Sequence, residues 1–195
     1  TGTRQANCMI LGVIPARSGS KRLPRKNMRL LLDRPLLMWT IDAAILARYL
    51  DLIVVSTDDA HAANLAFRAG VIPLPRPPVL ATDRATSYEV LRHVIQIMRP
   101  TVVVLLQPTS PLRTAEDIDA CMSMALQSSD EGAVSYEVGK PVPNGAVYIA
   151  RASWLVLDGN WDRCEFPHYE MPASRSVDID TLEDFTRAEH LARAA

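Results

Sequence analysis

Five cations crowd one short stretch: Arg17, Lys21, Arg22, Arg25 and Lys26, placed after the apolar run Met9 to Ile14 and around a Ser18-Gly19-Ser20 turn. A small-residue turn lets backbone N–H groups approach an anion, and the cations neutralise it, so the segment suits a polyphosphate. A merely solvated basic loop would need neither the buried strand before it nor the turn. Near the other end, Asp178 and Asp180 alternate in Val177-Asp178-Ile179-Asp180-Thr181. On an extended strand they share a face, about 7 Å apart along the chain. Two converging carboxylates suit a hard divalent cation such as Mg2+, and repel each other without one. The plainer alternative is that Asp180 caps the helix that follows and Asp178 is simply exposed. Cations facing a carboxylate pair describe phosphoryl or nucleotidyl transfer, in which positioning and electrostatics dominate. The glycine spacing matches neither a Walker A motif nor a dinucleotide fingerprint, which argues against an ATPase or a dehydrogenase.

The elements that must position these groups alternate along the chain. Strands are predicted at Met9 to Ile14, Leu52 to Ser56, Val71 to Leu74, Thr101 to Leu106, Gly132 to Glu137, Gly145 to Ile149 and Ser176 to Ile179. Helices are predicted at Pro35 to Tyr49, Asp59 to Ala69, Ser87 to Met98, Thr114 to Gln127 and Thr181 to Arg193. Thr86 or Ser87 caps the third helix; Thr114 caps the fourth, with Asp117 at the capping-box position. Near-continuous apolar strands separated by helices imply an α/β fold with a mainly parallel sheet covered on both faces. Ligands of such sheets sit beyond the carboxyl ends of the strands. Three polar clusters fall there: the Arg17 to Asn27 loop, Thr57-Asp58-Asp59, and Gln107-Pro108-Thr109-Ser110-Pro111. Trp39 and Phe67 read as helix core, His93 as packing, and Arg113 equally as a surface residue at a helix entry or a ligand contact.

The 195 residues, with no repeat or linker, read as a single domain over 1–195, and 48% hydrophobic content can build a core. A net charge of −1 offers no global basic field for nucleic acid, so the basic loop is local and favours a small anion. No apolar run approaches the roughly 20 residues that span a bilayer. The polar start Thr1 to Cys8 does not read as a secretory leader. Cys8, Cys121 and Cys164 are odd in number and widely spaced, which points to reduced thiols and a cytoplasmic protein.

Five segments together resemble the N-acylneuraminate cytidylyltransferase family, the CMP-sialic acid synthetases. They are IPARSGSKRLPRKN at 14–27, VVSTDD at 54–59, RPPVLATDRATS at 76–87, LLQPTSPLRTAEDID at 105–119, and NGAVYI at 144–149 with SVDIDTLEDF at 176–185. CMP-Kdo synthetases share the first loop but are less similar later. The resemblance implies a Rossmann-like three-layer nucleotidyltransferase fold. It implies an enzyme that couples CTP to a nine-carbon 2-keto sugar acid, releasing pyrophosphate and forming a CMP-sugar. By motif position, Arg17, Lys21 and Lys26 would face the triphosphate, with Asn27 close by. Arg76, Ser87 and Gln107 would line the nucleotide pocket, and Asp178 and Asp180 would hold Mg2+. Arg22 and Arg25 read equally as solvated.

The chain departs from the family between the Val134-Ser135-Tyr136 strand and Asn144-Gly145. Family members usually carry a few tens more residues there, an arm that supplies a homodimer contact and an Arg-Gln pair for the sugar carboxylate. Around 137–143 that arm is absent, and only Lys140 and Arg151 remain nearby. Two readings stand: a natural short form with altered sugar recognition, or a longer protein whose mobile arm is left out of this sequence. The alternatives to a sialic-type cytidylyltransferase are a nucleotidyltransferase using another sugar or nucleotide, and a CTP-binding family member without catalysis.

Overall fold

The computed structural model describes residues 8–128, 132–157, 161 and 166–194. Cys164 and the polar start as far as Asn7 lie outside them. Among the described residues the strands are β1 (Ile10–Pro15), β2 (Leu30–Leu31), β3 (Arg34–Pro35), β4 (Leu52–Thr57), β5 (Ile72–Pro75), β6 (Val102–Leu105), β7 (Gly132–Glu137), β8 (Pro143–Arg151) and β9 (His168–Met171). The helices are α1 (Leu36–Leu46), α2 (Ala60–Arg68), α3 (Ser87–Met98), α4 (Ala115–Gln127), α5 (Ala152–Val156) and α6 (Leu182–Ala194). None is long and apolar enough to cross a membrane.

Seven strands form one sheet in the order β5-β4-β1-β6-β8-β7-β9. β1 pairs in parallel with β4 and β6, as do β4 with β5 and β7 with β9; only β8 runs against its neighbours. The side-chain period of two divides each central strand between two cores. Ile10 and Ile14 of β1 and Val102 and Val104 of β6 pack with α1, α2 and α4 through Leu37, Ile41, Ala62, Ile118 and Cys121. Leu11, Val13, Val103 and Leu105 pack on the other face with α3 and α5 through Leu91, Val94 and Leu155. This is the expected Rossmann-like three-layer arrangement.

The chain leaves β1 for β4 and β5 on one side and returns to β6 on the other. The reversal opens a crevice at the carboxyl ends of β1 and β6, where open α/β sheets bind ligands. Helix entries beside it are capped: Thr86 and Thr114, as the sequence reads, form capping boxes with Glu89 and Asp117, and Asp59 accepts from the His61 N–H.

Three expectations are corrected. Ser176 to Ile179 joins no ladder; the place beside β7 is taken by β9, which periodicity did not reveal. Val177 and Ile179 nevertheless point inward, against Leu23, Leu31, Leu36 and Phe185, so the alternation survives without a sheet. Phe67 is 72% exposed, since α2 buries only its alanines Ala62 and Ala66 and the next position turns to solvent. Arg113 is neither a surface residue nor a cavity-lining one: at 2% exposure it lies inside the protein.

β7 passes to β8 through the short turn 138–142, with Gly139 at φ 74° and Tyr136 still paired to Pro143. The abbreviated segment thus closes as a hairpin.

Candidate active site

The crevice holds a cavity of about 490 Å³. Arg17, Lys21, Lys26, Asn27, Arg76, Ser87, Gln107 and Asp180 all line it, gathered from four separate sequence segments. Asp178 is not among the lining residues. Its carboxyl carbon lies at the edge, close enough to Gly145 that an added Cβ there would stand 3.5 Å from it, 3.5 Å from Gln107 Oε1 and 3.1 Å from Ser110 Oγ. Gly145 has φ 79°, so both its backbone and its crowded neighbours call for glycine.

The basic loop is pinned at several points. Ser18 gives its N–H (2.8 Å) and hydroxyl to the Asp58 carboxylate of the Thr57-Asp58-Asp59 cluster. The Ser18 N–H expected to meet an anion is therefore already engaged, whereas Gly19 and Ser20 still face the cavity. Asn27 Nδ2 donates to the Arg17 carbonyl (2.9 Å), closing the loop across its base. Leu23 is 3% exposed and packs with Val177 and Ile179, which ties the cation loop to the carboxylate segment through apolar contact. Arg25 takes a left-handed conformation (φ 54°) that turns Lys26 back toward the crevice.

Four of the five loop cations are already matched to carboxylates. Arg17 Nη1 and Lys21 Nζ meet the two oxygens of Asp83 at 2.6 and 2.7 Å. Lys26 Nζ donates to the Ile179 carbonyl (2.6 Å) and to Asp180 Oδ1 (3.0 Å), while Arg22 Nη1 reaches Asp180 Oδ2 at 3.0 Å. Arg22 thus lines the cavity while its side chain stays 72% exposed to solvent. Asp83 is the residue that sequence reasoning missed. It stands within the RPPVLATDRATS segment, but nothing local marks it as a partner for cations some sixty residues earlier.

Arg76 is buried at 7% exposure and hydrogen-bonds Ser56 through Nε (3.2 Å) and, to its carbonyl, Nη2 (2.7 Å). Burial pushes its guanidinium down to about 10, with Asp58 opposing and Arg17 adding to the effect; it stays charged at neutral pH. Ser87 is the first residue of α3, so the start of that helix stands at the cavity wall. Behind Gln107, Arg113 donates to the Gln107 carbonyl, the Ala146 carbonyl (2.8 Å) and Thr40 Oγ1 (2.9 Å). It joins the turn after β6 to β8 and α1.

Asp178 is solvent-exposed, yet the protein crowded about it desolvates the carboxylate and holds its pKa above the ordinary carboxylate range. Asp180 and Asp184 push the same way, against the Thr109 hydroxyl and Lys26. A carboxyl whose folded pKa lies above its unfolded one costs stability when ionised, and the cost disappears as pH falls below the unfolded value. Asp178→Asn is therefore expected to raise the Tm at pH 7 in EDTA slightly, with the gain shrinking toward pH 4. Thermal unfolding at the two pH values checks this; a lower Tm at pH 7 would contradict it.

Among the described residues no group of three or more His, Cys, Asp and Glu gathers as a metal cage. Two aspartates of alternating position fit the other mode of hard-cation binding, in which one or two carboxylates share the ion with phosphate oxygens and water. The two carboxylates offer oxygen ligands, which suit a hard cation.

A cation-lined crevice at the switch point of a three-layer α/β sheet, faced by a carboxylate pair, defines a nucleotidyltransferase-type fold. The cytidylyltransferase family model matches residues 11–190. The chain belongs to the cytidylyltransferase family. It is 45% identical over 221 residues to the CMP-N,N'-diacetyllegionaminic acid synthase of Legionella pneumophila, covering 93% of this chain and 95% of that protein. Since that alignment exceeds the 195 residues of this chain, the relative carries residues with no counterpart here. The chain is 34% identical over 209 residues to an N-acylneuraminate cytidylyltransferase of Streptococcus agalactiae, covering 89% of this chain and 51% of that protein. It therefore spans about half the length of the N-acylneuraminate cytidylyltransferases it matches. Among solved structures, CMP:2-keto-3-deoxy-manno-octonic acid synthetase complexed with CTP superposes with a TM-score of 0.78 at 15% identity, over 95% of this chain and 99% of that one. A Mycobacterium tuberculosis protein in complex with manganese superposes at 0.67 with 18% identity, over 93% and 98%. The last two likenesses speak for the fold.

Proposed function

We propose that the protein is a cytidylyltransferase that activates a nonulosonic, sialic-type sugar acid with CTP, giving the CMP-sugar and pyrophosphate. The observation that carries the reading is the convergence of Arg17, Lys21 and Lys26 with Asp180 in one crevice, in a chain of this family. The sugar identity is drawn from the relatives, whose names specify N-acylneuraminate and N,N'-diacetyllegionaminate.

In this reading Arg17, Lys21 and Lys26 bind the triphosphate and offset the charge that develops on the leaving pyrophosphate. Asn27 holds the loop in shape through the Arg17 carbonyl. Arg76, Ser87 and Gln107 form the nucleotide pocket, with Gln107 oriented by Arg113. The anomeric hydroxyl of the sugar acid attacks the α-phosphorus in line. Asp178 and Asp180 would hold Mg2+, which supplies Lewis-acid stabilisation of the phosphate charge. The whole is one domain, and a triphosphate donor suits a cytoplasmic setting. A homodimer is the partner the family resemblance implies, and sedimentation of the purified protein tests it.

The deciding experiment incubates the protein with CTP and Mg2+ plus N-acetylneuraminate, N,N'-diacetyllegionaminate, pseudaminate or Kdo, and measures pyrophosphate. Release with a nonulosonate is expected; none with any acceptor overturns the enzyme reading. The short β7–β8 turn favours one second reading, CTP binding without turnover. It predicts thermal protection by CTP with no pyrophosphate.

Asp83 occupies two of the cations that the triphosphate would claim. Asp83→Asn is expected to tighten metal-free CTP binding about 2–5-fold, the modest scale of an exposed ion pair, and less at high salt. Calorimetric titration at two ionic strengths measures it; weaker binding would make Asp83 a ligand group instead of a competitor.

A further inference from the structure

The carboxylate segment needs an anchor, because 176–180 has no strand partner. One lies just before it. Asp117, with no exposed surface, takes five hydrogen bonds. Arg175 Nε and Nη2 reach its two oxygens at 2.9 and 2.8 Å, Tyr169 Oη donates at 3.0 Å, and the Thr114 N–H and hydroxyl donate at 2.9 and 3.2 Å. Burial would raise the Asp117 pKa, but Arg175 and these donors outweigh it and hold it low. The carboxylate is therefore a fixed anion at the start of α4.

Arg175 closes the turn that follows β9, its own N–H bonded to the Pro172 carbonyl at 3.0 Å. The next residue, Ser176, accepts from Asn144 Nδ2 at 3.0 Å, and the Ile179 N–H reaches the Thr109 carbonyl at 2.7 Å. The segment is thus held at Arg175, Ser176 and Ile179, and Asp178 and Asp180 project between and beyond these points. Neither Asp117 nor Arg175 lines the cavity. Only the Asp117 side of the pair is buried, the Arg175 side chain being 36% exposed, and the desolvation of that carboxylate offsets much of the net stability such a pair could add. What a two-pronged guanidinium–carboxylate pair adds is a fixed direction.

We propose that Arg175, locked bidentate on buried Asp117, is a positioning residue that sets where Asp178 and Asp180 present their carboxylates to a divalent cation. This rests on the reading of those two aspartates as the metal-holding pair.

The test titrates the intact protein with Mn2+ alone, followed by water-proton relaxation, and compares wild type with Asp180→Asn, Arg175→Gln, Arg175→Lys and Tyr169→Phe. Asp180→Asn is expected to lose binding. Arg175→Gln is expected to weaken it about tenfold, at the low end of what outer-shell partners contribute. Arg175→Lys falls between, because one ammonium cannot reproduce the fork. CTP affinity in EDTA stays within about twofold of wild type in Arg175→Gln, since no cavity-lining group changes. If Asp180→Asn binds Mn2+ as wild type does, the metal reading fails and the proposal with it. If Asp180→Asn loses binding while Arg175→Gln, folded by circular dichroism, keeps the wild-type Kd, the proposal alone is overturned. Should Arg175→Gln not fold, Arg175→Lys and Tyr169→Phe decide: a lowered Tm with an unchanged Mn2+ Kd in both overturns it, and a weakened Kd in Arg175→Lys supports it.

Discussion

Asp180→Ala is expected to lose at least about a thousandfold in kcat, some 4 kcal/mol of transition-state stabilisation, while binding CTP more tightly in EDTA. The two effects have separate causes. Asp180 is one of the two carboxylates proposed to hold the divalent cation, and the phosphate charge that the cation would balance grows as pyrophosphate leaves. In the free protein Asp180 also engages Lys26 and Arg22, each at 3.0 Å. Removing it frees two cations for the triphosphate, worth about 2–5-fold in metal-free affinity at the scale of partly exposed pairs. Pyrophosphate release and calorimetric CTP titration measure the two. A general loss of structure would lower both, so the opposite signs are diagnostic. Unchanged turnover would remove Asp180 from the chemistry.

Lys26→Ala is expected to reduce kcat by about 10²–10³-fold, the range for removing one preorganised donor at a developing charge. Unlike Asp180→Ala, it weakens metal-free CTP binding. The Lys26 side chain is only 13% exposed and bonds the Ile179 carbonyl at 2.6 Å, so it also ties the loop to the carboxylate segment. Losing a charged hydrogen bond of this kind costs about 1–2 kcal/mol, or ~2–6 °C in Tm for a chain of this size. Steady-state kinetics beside thermal unfolding separate the roles. A full drop in Tm with normal kcat would make Lys26 a structural tie alone.

Asp180 and Lys26 also mark how far local pattern carries. Lys26 follows a strand end and a small-residue turn, and Asp180 alternates with apolar neighbours; both signals are readable over a few residues. Their partnership spans more than 150 positions, and no periodicity encodes it. The cap residues Thr86 and Thr114 were legible for the same reason the helices were: the hydrogen bonds they make close within three residues. β9 was not legible, because four residues reading His-Tyr-Glu-Met become a strand only when β7 offers an edge.

Arg113 illustrates the converse error. Beside a helix cap it read as exposed or ligand-facing, yet the turn after β6 folds it under Gln107 and against Ala146 and Thr40. A guanidinium enters the interior only where several acceptors converge, and two of these come from distant elements, β8 and α1.

By itself the sequence determined the alternation of strands and helices, the mainly parallel core, the basic loop at a strand end and the inward–outward alternation of Val177, Asp178, Ile179 and Asp180. Each follows from side-chain period, turn chemistry and charge, which act over a few residues. Only the tertiary structure decided that Asp83 and Asp180 hold the cations, that Leu23 joins the loop to the carboxylate segment, and that 176–180 hangs from Asp117 and Thr109 instead of a sheet. Those outcomes depend on which surfaces meet when the layers close, a choice made by long-range packing and by the need of every buried polar group for a partner.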